Sequence, residues 1–341
     1  MLKIELFDFH LPPELIAQKP VTPRDHCRLL VVDRGQKTLA HRIFFQIEEY
    51  LHPGDVLVIN ESRVLPARFV AHKEGSGGKV EVLFLREQEG RWECLVSPRK
   101  KVRLGQTLVL KEHPEYRFLL EEDHKDTWFV RPLFALSPEE FLRRFGAIPL
   151  PPYIKAKGIP LEEYQTVYAR VSGSVASPTA GLHFTPQLLS RLKEKGVRIL
   201  SLILHVGLGT FQPVKEGEVE KHRMHREWFF LPQETAQSIL EAKGAGNKVV
   251  AVGTTSVRVL ESVWQRWGTL REDHGETDLF IYPGFHFGVV DALITNFHLP
   301  RSTLFMLVCA FGGIEFMHHA YQEAIREGYR FYSFGDAMFI R

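Results

Sequence analysis

Three histidines stand where apolar runs give out into polar turns. His183 follows the irregular stretch Pro178-Thr179-Ala180-Gly181-Leu182 and precedes a helix start at Thr185-Pro186. His205 ends the apolar run that begins at Val197, and His298 follows Asp291-Ala292-Leu293-Ile294-Thr295-Asn296-Phe297. Imidazole titrates near pH 6.5, so each is a candidate for moving a proton near neutral pH. One such histidine is more often packed than reactive, but three at the ends of α/β elements form a set. A different chemistry is offered by Val249-Val250-Ala251-Val252-Gly253-Thr254-Thr255-Ser256, where an apolar strand runs into glycine, hydroxyls and a helix carrying Arg258 and Glu261. Gly253 would let a ligand approach the backbone, and the free N–H groups of a helix start favour an anionic or nucleotide group. The plainer reading of these residues is a well-capped helix with a surface ion pair.

Weaker signals lie elsewhere. The turn Val206-Gly207-Leu208-Gly209-Thr210-Phe211 lacks the third glycine and the spacing of a dinucleotide fingerprint. His222, His225 and Glu227 are metal-ligand types, but their spacing is not that of two histidines on one helix face with a carboxylate between them. Asn60-Glu61-Ser62-Arg63 and Tyr282-Pro283-Gly284-Phe285 add polar and aromatic groups at strand ends.

The elements that must position these groups follow from periodicity. Arg28–Asp33 and Asp55–Asn60 are strands with a short helical stretch from Phe45 to Leu51 between them, and Met1–Glu5 is predicted as a strand. Between residues 66 and 148 the texture becomes alternating strands, Lys79–Leu85, Trp92–Val96 and Thr107–Leu110, with turns at Gly75 and Gly77-Gly78. Closely spaced strands without long helices point to an inserted antiparallel β-barrel. Ser137 caps a helix with Pro138 at its first position, and the stiff Pro149–Pro152 segment marks a boundary. Strand and helix alternate again beyond residue 160: helices at 188–195, 232–243 and 256–267, and strands at 197–205 and 248–253, around Ile281 and at 292–294. The predicted class is therefore α/β, a discontinuous α/β domain of residues 1–65 and 149–341 with a small antiparallel β-barrel of residues 66–148 inserted.

Composition narrows the function classes. Lys and Arg number 43 against 41 Asp and Glu, so bulk charge argues neither for nucleic acid nor for a membrane, and any RNA contact must be local. Arg99-Lys100-Lys101 with Arg103 is the longest basic cluster, a composition that usually means a solvated loop. Cys27, Cys94 and Cys309 are odd in number and far apart, which suits a reducing cytosol. Glu5 and Asp8 interrupt the N-terminal apolar residues, unlike a signal peptide, and the apolar stretch Ser302–Gly313 is shorter than a membrane span and reads as a buried helix.

In these same motifs the chain resembles, from end to end, the S-adenosylmethionine:tRNA ribosyltransferase-isomerase family of queuosine biosynthesis. The resemblance is carried by Gly54-Asp55 through Asn60, Arg63-Val64, Pro66-Ala67-Arg68, Gly77–Val82, Tyr164–Tyr168, Pro178–Phe184, Leu204–Gly207 with Gly209–Pro213, Val252–Arg258, Phe280–Gly284, Asp291–Pro300 and Gly335–Phe339. Glu61-Ser62 stands where Asn-Thr is frequent, and Ser177 where Ala is frequent. The resemblance implies transfer of the ribosyl part of S-adenosylmethionine to 7-aminomethyl-7-deazaguanine at the tRNA wobble position, giving epoxyqueuosine, with adenine and methionine released. It also implies a monomeric cytoplasmic enzyme, with no membrane, metal or resident cofactor, in which S-adenosylmethionine is a consumed co-substrate. On that footing His183, His205 and His298 are the candidate proton-transfer groups, and Asp291 or Asp336 would orient a histidine or neutralise the sulfonium. Gly253, Thr254, Thr255, Ser256 and Arg258 would meet the methionine carboxylate or the ribose, and Tyr282 and Phe285 would offer faces for adenine or the modified base. Asn60, Arg63, Arg68 and Lys79 would touch tRNA or act as polar fasteners. Two other classes compete: a metal-dependent hydrolase on His222, His225 and Glu227, and a non-catalytic tRNA-binding module using the barrel and the Arg99–Arg103 cluster.

Overall fold

β-Branched and leucine runs bounded by glycine, proline and aspartate become the strands of this molecule. The computed structural model describes residues 1–124, 127–156, 158–207, 214 and 217–341. Along the chain the strands are β1 (Arg28–Asp33), β2 (Thr38–Ile43), β3 (Val56–Asn60), β4 (Ser62–Val64), β5 (Arg68–Lys73), β6 (Lys79–Gln88), β7 (Arg91–Ser97), β8 (Thr107–Val109), β9 (Arg117–His124) and β10 (Thr127–Pro132). They continue with β11 (Val171–Ser174), β12 (Arg198–Leu204), β13 (Glu227–Leu231), β14 (Val249–Val252), β15 (Asp273–Thr277), β16 (Ala292–Asn296) and β17 (Ala337–Ile340). The α-helices are α1 (Pro138–Phe145), α2 (Pro186–Glu194), α3 (Gln233–Gly244), α4 (Gly253–Trp267), α5 (Thr303–Gly312) and α6 (Ile314–Arg326).

The chain divides into two compact units. One comprises Met1–Ser62, Pro151–Val171 and Ser177–Arg341; the other comprises Arg63–Leu150 with Ser172–Ala176. The edges of the second unit differ by a few residues from the expected 66–148, and a short later piece joins it because the Leu65 N–H donates to the Ser174 carbonyl at 2.9 Å.

The first unit holds a nine-stranded sheet in the order β15-β13-β12-β3-β14-β16-β17-β1-β2. Strands β12, β3, β14 and β16 run parallel, whereas β17 is antiparallel to β16 and parallel to β1. Every residue of β3, β14 and β16 is buried, which is why these strands are apolar without alternation. One core packs Leu57, Ile59, Val250, Val252 and Ile294 against Phe44, Phe184, Leu188 and Leu192. The second unit is a closed barrel in the order β10-β7-β6-β5-β8-β9, its interior filled by Phe69, Trp92, Phe118 and, from α1, Phe141. As expected, Ser137 caps α1: its hydroxyl accepts from the Glu140 N–H while Glu140 bonds back, a reciprocal capping box.

Two expected elements differ. The N-terminus forms a 3₁₀ turn at Ile4–Phe7 with Ile4 and Phe7 buried, since only a single bridge, Lys3 to Glu218, offers it a strand partner. Ile281 is in no strand: Tyr282-Pro283-Gly284-Phe285 closes a turn in which the Phe285 N–H donates to the Tyr282 carbonyl at 3.1 Å, and Pro283 has no N–H for a ladder. The strand of that region is β15, which ends four residues before Ile281 and is rich in charge, Asp273-His274-Gly275-Glu276-Thr277. Among the described residues no single helix is long and apolar enough to cross a membrane; α5 is the expected buried helix and meets α6 at a 113° bend.

Candidate active site

A parallel sheet whose strand order reverses about one strand leaves a crevice at the carboxyl ends of the strands, because the connections leave toward opposite sides. Here β3 is that strand, with β12 on one side and β14 on the other. The antiparallel β17 delivers Tyr332 and Ser333 to the same edge, since Ala337 pairs with Asn296. The resulting cleft has about 620 Å³ of space between its walls, open solvent at its mouth included. Its walls are Ser177, Pro178, Thr179 and Ala180 before α2, Val206 after β12, Gly253, Thr254 and Thr255 opening α4, Thr295 and Asn296 at the end of β16 with Phe297 to Leu299 after it, Ser302 and Leu304 at the start of α5, and Tyr153, Tyr332 and Ser333. Among the described residues the lining contains no Asp, Glu, Lys or Arg side chain. Tyr153 and Tyr332 pack ring to ring at 4.6 Å, and burial raises the pKa of both phenols, so they stay neutral.

The three histidines part company. His298 lines the cleft, its Nε2 2.7 Å from Thr295 Oγ1. Protein surrounds it on its other sides, and that desolvation takes its pKa down to about 3, so the imidazole is neutral at working pH. His183 is buried behind the wall. Asn296 Nδ2 donates to the Tyr332 carbonyl at 2.9 Å and to His183 Nε2 at 3.2 Å, which leaves the ring proton on Nδ1, facing Cys27 Sγ at 3.1 Å. Burial, reinforced by the charges of Arg24 and Arg330, brings His183 to about 3. His205 stacks on Trp228 at 5.2 Å and places Nδ1 2.8 Å from Ser62 Oγ; desolvation brings it to about 4. Of the three, only His298 faces the cleft.

Other expected residues do structural work. Asp291 lies before β16 begins, at the opposite end of the strand from His298; its carboxylate accepts from the Val249 N–H at 2.8 Å and lies 3.4 Å from Lys243 Nζ. It therefore orients no histidine in the cleft. Asp336 is likewise committed, accepting the N–H groups of Arg28 and Arg330 at 2.9 and 2.7 Å. Arg258 and Glu261 are both buried, not a surface pair. Arg258 pairs with Glu227 and donates from Nε to the Leu279 carbonyl at 3.1 Å and from a terminal nitrogen to that of Thr277 at 3.3 Å. Glu261 accepts the N–H groups of Gly288, Val289 and Val290 at 2.9, 3.1 and 3.0 Å. Ser256 turns its hydroxyl back to the Val252 carbonyl at 2.8 Å. Asn60 ties β3 to β12, donating to the Leu204 carbonyl at 3.0 Å and accepting from the N–H groups of Leu204 and Ser62 at 3.1 Å. Tyr282 and Phe285 pack against Phe280 and Phe287 and are not among the cleft residues. Arg63 is exposed and begins the second unit.

The metal reading loses its carboxylate, because the other oxygen of Glu227 accepts the Gly207 N–H at 2.7 Å. Among the described residues no three His, Cys, Asp or Glu side chains stand close enough to share a metal ion. In the basic cluster, Arg99 is tied to Asp123 and lies over the Trp128 ring. Leu208 to Phe211 of the glycine-rich turn, and Gly209–Pro213 of the resembling motif, lie outside the described residues.

Gly253, Thr254 and Thr255 do reach the cleft. Gly253 has φ +84°, and the site of its missing Cβ lies 3.5 Å from both Ala180 Cβ and Thr255 Oγ1. The Thr255 and Ser177 hydroxyls are buried with no hydrogen-bond partner among the described residues. Ser177, Thr179, Ser302, Tyr153 and Tyr332 were not among the sequence candidates. Pro178 and Thr185 bracket one of them and Ser302 was legible as a helix cap, but nothing local marks the two tyrosines.

The family model for queuosine biosynthesis protein matches residues 4–340. The chain is 52% identical over 340 residues to S-adenosylmethionine:tRNA ribosyltransferase-isomerase of Thermotoga maritima, covering 99% of this chain and 100% of the relative. It is 51% identical over 341 residues to the protein of that name from Moorella thermoacetica, with the same coverage. A crystal structure of S-adenosylmethionine tRNA ribosyltransferase from Thermotoga maritima is similar with a TM-score of 0.58 and 41% identity, covering 98% of this chain and 100% of that one.

Proposed function

The chain belongs to the queuosine biosynthesis family, and from that premise we propose that it is an S-adenosylmethionine:tRNA ribosyltransferase-isomerase, a transferase that modifies tRNA. It moves and isomerises the ribosyl part of S-adenosylmethionine onto the aminomethyl group of 7-aminomethyl-7-deazaguanine at the wobble position, giving epoxyqueuosine and releasing adenine and methionine. S-adenosylmethionine is consumed and no resident cofactor is used; the enzyme works as a cytoplasmic monomer on a base that a single-stranded loop presents without breaking a duplex.

The observation that carries this reading is the cleft at the reversal of strand order, uncharged, rich in hydroxyls, and holding one histidine. A sulfonium makes the adjacent C5′ hydrogens acidic enough for an enzymatic base. His298, neutral and open to the cleft, takes that proton in our reading. Adenine leaves, the amine attacks the ribose skeleton, and departure of the sulfur closes the epoxide. Tyr153 and Tyr332 supply aromatic faces to the adenine or the cationic sulfur, and Gly253, Thr254 and Thr255 meet the ribose or the amino-acid end. His183, held to Asn296, keeps that amide in one orientation.

The test incubates purified protein with S-adenosylmethionine and tRNA bearing the aminomethyl-deazaguanine base, following adenine release and nucleoside mass together. Adenine and methionine appearing in step with epoxyqueuosine are expected. Retained tRNA binding with no product would reduce the chain to the binding module.

A further inference from the structure

Two hydroxyls in the cleft are left with nothing to bond. Thr255 Oγ1 and Ser177 Oγ are both buried and unpartnered, and the residues that carry them are 7% and 2% exposed. A buried hydroxyl costs folding free energy unless it is hydrogen-bonded, so two among the residues lining one cleft point to an acceptor that arrives with a ligand. Thr255 stands at the start of α4, a fifteen-residue helix whose N-cap, Val252, has no side-chain oxygen to bond the first N–H groups. Gly253 at φ +84° leaves empty the space its Cβ would take, 3.5 Å from Thr255 Oγ1. Free N–H groups, the positive end of a helix dipole and hydroxyl donors around an empty cradle are complementary to a small anion.

We propose that the start of α4, with Thr255 Oγ1 and Ser177 Oγ, holds the α-carboxylate of the methionine part of S-adenosylmethionine, an assignment that rests on that molecule occupying the cleft. The charge pattern favours a carboxylate over an RNA phosphate: among the described residues no Lys or Arg lines the cleft, and a single delocalised anion suits neutral donors where a backbone phosphate is ordinarily met by cationic side chains. The methionine end is thereby fixed at α4, which directs the sulfonium and the ribose away from the helix toward the rest of the wall. Thr255 stands in the first turn of α4, beside the helix N–H groups, and is the larger contributor.

The test measures binding of S-adenosylmethionine and of its decarboxylated analogue, the adenosyl sulfonium of 3-methylthiopropylamine, to the native enzyme, Thr255→Val, Thr255→Ser and Ser177→Ala. Hydrogen bonds to a charged group predict a loss of about tenfold to a hundredfold for S-adenosylmethionine in Thr255→Val. A smaller loss is expected in Ser177→Ala and near-native binding in Thr255→Ser, with the analogue bound equally by all four. The wild-type comparison of the two ligands needs no variant and must itself favour the carboxylate. Equal losses for both ligands, or no loss for either, overturn the assignment, as does a loss confined to the KM for tRNA, which would mean a phosphate. A native enzyme that turns over S-adenosylmethionine while the variants bind it normally refutes the carboxylate site alone; one that binds neither ligand refutes the functional reading as well.

Discussion

A histidine at pKa about 3 is a weak base in water, yet His298 is the one imidazole facing the cleft, hydrogen-bonded to Thr295. It is unprotonated throughout the working range, so no fall in rate near pH 6.5 should be traced to it. Replacing His298 with Ala is expected to slow single-turnover adenine release by about a hundredfold to ten-thousandfold, whereas His205→Ala, away from the cleft lining, should change it far less. A His298→Ala variant that released adenine at the native rate would sink the assignment. His183 is read differently, as a determinant of stability. Both folded and unfolded states are neutral at this site above pH 6.5; below it, the unfolded chain gains a proton that the buried ring refuses until about pH 3. Unfolding then binds protons, and stability is lost progressively as pH falls from about 6.5 toward 3. The unfolding midpoint should drop between pH 7 and pH 5, and His183→Gln should drop less over the same interval; an equal slope in native and variant protein would refute the coupling.

At the scale of elements, the buried Arg258–Glu227 pair joins α4 to β13, and the further bonds of Arg258 to Thr277 and Leu279 bring in the end of β15 and its following turn. Removing one partner of such a pair leaves a charge stranded, at about 3–5 kcal/mol. Arg258→Met should therefore lower the free energy of unfolding read from denaturant titration by about that amount and leave the KM of the surviving folded enzyme nearly native, because the side chain is not among those lining the cleft. Lys at this position should rescue little, having no planar fork to reach three acceptors. A large rise in KM at unchanged stability would restore Arg258 to the ligand site. This residue also shows where sequence reading gives out. Helix caps at Ser137, Thr185 and Ser302, and strands such as Arg28–Asp33, were legible because their signals span a few residues. Arg258 was assigned to Glu261 because those two are neighbours on one helix; its true partner lies 31 residues away, on a strand whose position depends on sheet order. Asp291 was misplaced for the related reason that proximity in sequence to His298 hides a whole strand between them.

At the scale of the whole molecule, the site is built from pieces far apart in the chain, Tyr153, Ser177, Gly253, His298 and Tyr332, and is legible only once a parallel sheet with its reversal at β3 is assumed. The inserted unit is the opposite case, a nearly contiguous segment whose alternating strands announced a barrel. It closes its own sheet, leaving no unpaired edge, and its aromatic interior is self-contained: Trp92 packs on Phe84, Phe118, Phe134 and Phe141 at 5.3 to 6.0 Å. Those properties predict that the segment Arg63–Leu150 folds on its own, lacking only the short piece Ser172–Ala176 that the contacts assign to it. At about 0.05–0.15 kcal/mol per residue, such a fragment would have a stability of roughly 4–13 kcal/mol. Trp92→Ala, a fully buried truncation worth about 3–5 kcal/mol, should then remove much or all of it. The expected result is one cooperative denaturant transition, seen alike by far-ultraviolet circular dichroism and tryptophan fluorescence, that Trp92→Ala moves sharply to lower denaturant. A fragment that gives the spectrum of a coil would show that the barrel needs the returning strand β11 to close its fold, and the autonomy inferred from its contiguity would be wrong.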